Sequence, residues 1–306
     1  MFAVPVKDLL EAGVHFGCRA SRWNPRMKPF IFGKRNLIHI IDLRESLRGL
    51  IKGTTFLHRL SAEGHQILFV GTKRQAAPVI QECAASVSMP MVTERWLGGT
   101  LTNFSTIRGR LKTLMELEAS VADVSFAARP KKEQASILRD KRKMFRNLDG
   151  LRTMERLPGA MVVVDPKKEH NAVREANKLG IPVVAILDTD CDPTKVDIVI
   201  PGNDDSMRSI QVLLKKLTEA VAAGNTAYAQ HLAAEEKRRT DDMARRQEEE
   251  KKEQDAARKS AERRAAEMEA LKAAQQRLRA ERAAKGAADG TPVAPAPTEP
   301  DTKPTE

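Results

Sequence analysis

GAMVVVDPKKEHNAVREANKLGIPVVAILD, residues 159–188, reads as strand, helix, strand. GAMVVVD (159–165) and PVVAILD (182–188) are short runs rich in β-branched residues, each closed by an aspartate. Runs of this length without polar alternation are strands buried on both faces. Between them, 169–179 is helical. A strand, a crossover helix and a second strand make a parallel pair. Working outward, QILFVGT (66–72), PMVTER (90–95), DIVIPG (197–202) and LIHIID (37–42) read as further buried strands, and 44–63, 74–87 and 206–222 as helices. The expectation is an α/β fold on a parallel sheet, which excludes sandwiches and barrels.

The alternation breaks between residues 95 and 159. Phe104, Ile107, Leu111 and Leu114, with Leu117 or Glu118, recur at spacings of three and four, the seam of a two-helix coiled coil. Phe126, Ala127, Ala128 and Arg129-Pro130 form a break, and a second helix is expected from 130 to about 156, with Ile137, Leu138, Met144, Phe145, Leu148 and Leu151 apolar. An inserted antiparallel coiled-coil hairpin, 101–156, accounts for both, dividing an α/β domain of 1–100 and 157–225. Beyond Ala223-Gly224-Asn225 the chain becomes Ala, Glu, Lys, Arg and Gln almost without interruption. Pairs such as Glu235 with Arg239, Asp241 with Arg245, Asp242 with Arg246, Glu248 with Lys252 and Asp255 with Lys259 put the acid four residues before the base. That order stabilises an isolated helix, so 226–286 is expected to be a charged, solvated helical extension. The Pro-rich end, 287–306, is expected to be disordered.

The net charge is +11, and residues 231–306 hold 17 Lys and Arg against 17 Asp and Glu, so the excess belongs to the first 230 residues. A basic folded body implies a shaped surface for phosphates rather than a loose basic tether. Cys18, Cys83 and Cys191 are far apart and form no CxxC pair, which argues against a disulfide framework or zinc ribbon and for a reducing cytoplasm. No stretch approaches the roughly 18 apolar residues of a membrane span, and MFAVPVKDLLEAG has neither signal-peptide nor transit-peptide layout.

Residues 19–52 carry nine bases (Arg19, Arg22, Arg26, Lys28, Lys34, Arg35, Arg44, Arg48, Lys52) against Asp42 and Glu45. RASRWNPRMKPFIFGKRN shows no helical or strand period, and Pro25 and Pro29 bias Asn24 and Lys28 away from helix. It reads as an extended, ordered arm. Guanidinium groups beside Trp23, Phe30 and Phe32 suit RNA, a polyanion with flat stacking surfaces; the competing reading is a solvated basic loop. Lys73, Arg74 and Arg95, and on the hairpin Arg108, Arg110, Lys141 and Arg142, are further candidate RNA contacts; 101–156 holds 13 bases and 7 acids.

An α/β sheet invites a nucleotide site, and ILFVGTKRQAA has an anion-binding arrangement at a strand-to-helix turn. Neither GxxxxGK[ST] nor GxGxxG occurs, so a phosphate contact at Gly71-Thr72-Lys73 is as far as the residues go, and no small-molecule substrate is expected. RWLGGTLTNF reads as a tight turn starting the hairpin, with Arg95 and Trp96 as possible RNA contacts. Asp188, Asn203, Asp204 and Asp205 follow strands whose C-terminal ends share one edge, and such oxygen ligands suit Mg²⁺, with His15 and Cys18 reaching in if the first loop folds over. The alternative is that these residues cap helices and make turns. No catalytic constellation can be assigned.

AGVHFGCRASRWNPRMKPFIFGKRNLIHIIDL, ILFVGTKR, RWLGGTLTNF, LPGAMVVVDPKKEHNAVREANKLGIPVVAILDTDCDP and VDIVIPGNDD are collinear and span about residues 1–225. They resemble the bacterial form of the second protein of the small ribosomal subunit. The resemblance implies a flavodoxin-like parallel sheet with an inserted helical hairpin. It further implies a structural role without enzymatic activity or required cofactor: binding small-subunit rRNA and helping to dock the large mRNA-binding ribosomal protein. Two departures stand out. Cys18 replaces the histidine that usually follows GVHFG in the family, and the tail beyond about residue 224 is far longer than a typical member's.

Overall fold

The structure, a computed structural model, describes residues 5–123, 126 and 128–288. Ala127 of the expected hairpin break and nearly all of the Pro-rich end fall outside the described residues.

Five strands form the central sheet: β4 (Ile67–Val70), β5 (Met91–Val92), β6 (Ala160–Val164), β7 (Val183–Leu187) and β8 (Ile198–Pro201). All neighbours are parallel, in the order β5-β4-β6-β7-β8. Numbered within the sheet this is 2-1-3-4-5, the flavodoxin-type order. Every residue of β4, β6 and β7 is buried, as the unbroken apolar runs require. PMVTER contributes only Met91–Val92, because this edge strand has β4 as its sole neighbour.

The pleat divides the core. Ile67, Phe69, Val162, Val164, Val184 and Ile186 face one side with Leu50 and Leu57 of α2 (Leu43–Ala62), Val79 and Ile80 of α3 (Ala77–Ser86), and Leu213, Leu214 and Leu217 of α7 (Met207–Ala288). Leu68, Val70, Met161, Val163, Val183 and Ala185 face the other, with Ala172, Val173 and Ala176 of α6 (His170–Lys178) and Ile107, Leu111 and Leu114 of α4 (Phe104–Ala122). Helix α2 lies directly on β8: a Cβ at Gly49 would strike the Val199 carbonyl oxygen.

α4 and α5 (Lys131–Leu148) pack against each other, and a 3-10 turn, Asp149–Leu151, ends the second helix earlier than expected. The hairpin's inner residues belong to the second core: Leu111, Leu114, Leu148 and Leu151 are buried, whereas Leu138 and Phe145 are exposed. Arg152 ties the base together through bonds of 2.7 and 2.8 Å to Glu118.

The N-terminal region differs from its reading. LIHIID does not join the parallel sheet. Its centre is β3 (Ile38–Ile41), the middle strand of an antiparallel sheet with β1 (Phe16–Arg19) and β2 (Ile31–Arg35), and α1 (Val6–Glu11) precedes them. The cause is visible in its burial, which alternates because only the His39 and Ile41 face is covered. The arm is therefore two strands joined through a 3-10 turn, Pro25–Phe30, rather than an unpaired extended segment.

Helix α7 runs through Ala223-Gly224-Asn225, which had read as a junction. Gly224 is a contact point instead: a Cβ there would lie 2.5 Å from Ser61 Cβ, and Ser61 Oγ donates to Val221 O and Asn225 Oδ1. Residues Met1–Ala233 form one compact unit and Ala234–Glu306 a second. Within the second, Glu248 and Lys252 pair at 3.0 Å as the spacing predicts, while Asp242 meets Arg245, 3.8 Å away, rather than Arg246.

Candidate nucleic-acid interface

No acidic residue occurs between Glu11 and Asp42, so the antiparallel sheet is built from neutral and basic residues alone. On β3, Ile38 is paired with Arg19 on one side and Arg35 on the other, so two exposed arginines share one face in a single row. Arg22 closes a turn after β1, its N–H donating to Arg19 O, and Lys28 and Lys34 are exposed on the 3-10 turn and β2. Arg19, Arg22, Lys28, Lys34 and Arg35 make no ion pair among the described residues. Trp23 is half-buried, its ring 5.1 Å from that of His39. Arg26 differs from the others: its Nη1 donates to Asp192 at 2.8 Å and Thr194 at 3.2 Å, clamping the arm to the body.

The clamp has several parts. Cys18 N–H donates to Asp188 Oδ1 and Thr189 Oγ1, both at 3.0 Å, and Asn24 N–H donates to Thr189 O at 2.8 Å. The first loop thus folds over the C-terminal edge of the parallel sheet and borders a cleft of about 640 Å³. Arg19, Arg22 and Lys73 line it together with Asp165, Asp188, Asp190, Asp204 and Asp205.

Lys73 lies within this acidic group, not on an open surface. Its ammonium is 2.7 Å from Asp204, 2.6 Å from Asp205 and 3.8 Å from Asp165. Burial opposes its charge, but its bonds to Asp204 and Asp205 outweigh that and raise its pKa. Burial pushes Asp188 up to about 6, and burial with the neighbouring Asp165 pushes Asp204 up to about 7 against the pull of Lys73.

Two groups of carboxylate and thiol atoms come within 4.8 Å of one another: Asp188, Asp204 and Asp205, and Asp165, Cys191 and Asp204. His15 belongs to neither. Asn203 is a cap, its Oδ1 accepting from Asp205 N–H and Ser206 N–H while its amide donates to Gly13 O. The oxygen set would suit Mg²⁺, but Lys73 already supplies the positive charge between Asp204 and Asp205. The donor set therefore does not fit the expected metal.

At the turn after β4, where a flavodoxin-type sheet would hold a phosphate, the donors are already taken. Glu169, almost fully buried, accepts from Thr72 N–H at 3.0 Å and from Thr72 Oγ1 at 2.5 Å, and Lys168 donates to Thr72 O. A phosphate at this turn would meet a carboxylate. The RWLGGTLTNF turn is filled in the same way. Glu175 accepts from Trp96 Nε1, Gly99 N–H, Leu101 N–H and Thr102 N–H, at 2.8–3.1 Å. Trp96 is buried, with its indole N–H spent on Glu175. Arg74 and Arg95 are exposed on loops, Arg108, Arg110 and Arg142 on the hairpin, and Lys141 is half-buried.

Sequence reasoning missed Glu169 and Glu175. The first carries a weak signal, an acid placed just before a helix on a strand-end loop. The second carries none, because a glutamate within a helix normally reads as solvated.

A parallel sheet of flavodoxin-type order whose strand-end turns are held by its own carboxylates, beside a small antiparallel sheet free of acids, makes this a protein of the α/β class. The family described as Ribosomal protein S2 matches residues 9–224. The chain is 57% identical over 219 residues to the small ribosomal subunit protein uS2 of Rhodopirellula baltica, covering 72% of this chain and 84% of that protein. It is 52% identical over 238 residues to the uS2 of Acidothermus cellulolyticus, covering 78% and 86%. The chain belongs to the ribosomal protein S2 family, whose members are structural proteins and not enzymes. Residues beyond 224 lie outside the family match.

Proposed function

We infer that this chain is a structural protein of the small ribosomal subunit, acting in translation in the cytoplasm. On this reading it binds rRNA phosphates with Arg19, Arg22, Lys28, Lys34 and Arg35 of the antiparallel sheet. Arg74, Arg95, Arg108, Arg110, Lys141 and Arg142 add contacts, whereas Lys73 and Arg26 hold the arm and the cleft in shape. The carrying observation is a hydrogen-bonded sheet with no acid and five exposed bases that make no ion pair among the described residues, in a chain of this family. The helical hairpin 101–156 acts as an antiparallel coiled coil inserted in the α/β domain of 1–100 and 157–225, and neighbouring subunit proteins, including the large mRNA-binding one, dock on this body. The extension 226–286 serves as a helical spacer or docking rod.

Co-sedimentation with small subunits across a salt series tests the reading. The logarithm of the affinity should fall linearly with log salt, and replacing the five bases by Gln should make the slope shallower by about 3–5, since each phosphate contact contributes about 0.7–0.9. Protein that stays free of ribosomal particles at low salt would rule it out.

A further inference from the structure

The β2–β3 hairpin turns through Asn36 and Leu37, with φ of 50° and 62°. Both values are positive, so the two-residue loop is a type I′ turn, whose second position favours glycine. Leucine there is strained, since a Cβ crowds the backbone in the left-handed region. The conformation is held in place: Arg35 pairs with Ile38 across the loop, and Ala20 N–H donates to Leu37 O at 2.8 Å. The strained side chain covers nothing. Leu37 is 70% exposed and Phe32, on the same hairpin, 74%, the two most exposed large apolar residues described. Strain maintained at an exposed apolar tip is the mark of a contact surface rather than of a folding requirement.

The surroundings indicate the partner. Lys34 and Arg35 flank the tip, Arg19 lies across Ile38 from Arg35, and no acid is present in the whole sheet. An apolar protein pocket would have to bury or exclude these unpaired cations, whereas RNA neutralises them. Phosphates give nothing to Leu37 or Phe32, but unstacked bases offer faces to both.

We propose that the β2–β3 hairpin engages unpaired rRNA bases, with Leu37 at its tip as an apolar wedge and Phe32, at the bulge near the start of β2, as a stacking surface, while Lys34 and Arg35 hold the adjoining phosphates. This rests on the reading of the chain as an rRNA-binding protein.

The test is filter binding of the full-length protein to purified small-subunit rRNA at several salt concentrations, with incorporation into particles measured alongside. Leu37→Gly and Phe32→Ala should each weaken rRNA binding roughly 5- to 50-fold with an unchanged salt slope, because base contacts release no counterions. Lys34→Gln should instead flatten the slope by about 1. Leu37→Gly should melt at the wild-type temperature or up to about 4 °C higher, which separates lost contact from lost fold. Wild-type rRNA affinity in Leu37→Gly would overturn the proposal, as would a loss accompanied by a flattened slope. Intact rRNA binding with lost incorporation would assign the tip to a neighbouring protein and overturn it too. Failure of the wild type itself to bind rRNA would sink the underlying reading along with the tip.

Discussion

Glu175 and Asp188 illustrate opposite uses of a carboxylate. Burial works against ionised Glu175, but Trp96 and three backbone N–H groups accumulate on it and hold its pKa below the ordinary value. Its contribution is therefore present above the unfolded pKa of about 4.3 and lost as pH falls through the lower folded value. Glu175→Ala leaves those donors without a protein acceptor and should cost about 2–3 kcal/mol in a urea titration at pH 7. Asp188 runs the other way. With a folded pKa of about 6, the native state binds more protons than the unfolded chain, so stability declines as pH rises from about 4 to 6. Asp188→Asn keeps an acceptor for Cys18 N–H and should lessen that decline in melting temperature measured from pH 4 to 7, leaving the part due to Asp204, which burial raises in the same direction. Neither role was legible in the sequence. The acids after the strands pointed to one edge, and Asp188, Asp204 and Asp205 do meet there. What fills the space between Asp204 and Asp205 is Lys73, 131 positions from Asp204, and spacing along the chain carries no information about such a partner.

Elements whose chemistry is uniform were the most legible. The β4, β6 and β7 runs are apolar throughout and occupy the centre of the sheet, where only such runs can be accommodated. β3 was harder because four residues with a single histidine resemble a buried strand until its neighbours are known, and those neighbours, β1 and β2, carry no periodicity of their own. Gly224 shows the same limit. A glycine in a helical pattern signals a stop or a close approach, and only the position of Ser61 decides between them. Close approach also governs α2. Gly49→Val would force the helix off β8 and should cost about 3 kcal/mol, read as a lower urea midpoint with little change in slope.

For the whole molecule, the division at Ala233 predicts independence of its two units. Deleting residues 234–306 should leave the thermal midpoint of the remainder unchanged while removing the ellipticity of the helix over 234–288; a large fall in the midpoint would contradict it. The first unit is closed by its own ends. Gly13 and Val14 bond to Asn203, Cys18 to Asp188 and Thr189, and Arg26 to Asp192. A ribosome synthesising this chain at about 5–20 residues per second therefore releases the basic arm roughly 10–30 s before its clamp exists. During that interval the six cations of the arm, Arg19, Arg22, Arg26, Lys28, Lys34 and Arg35, wait beside the nascent chain's own birthplace on strands not yet fixed to the body. Completion of the last strand is thus the event that fixes the arm against the body, because Asp188, Thr189, Asp192 and Asn203 are all made late in this unit.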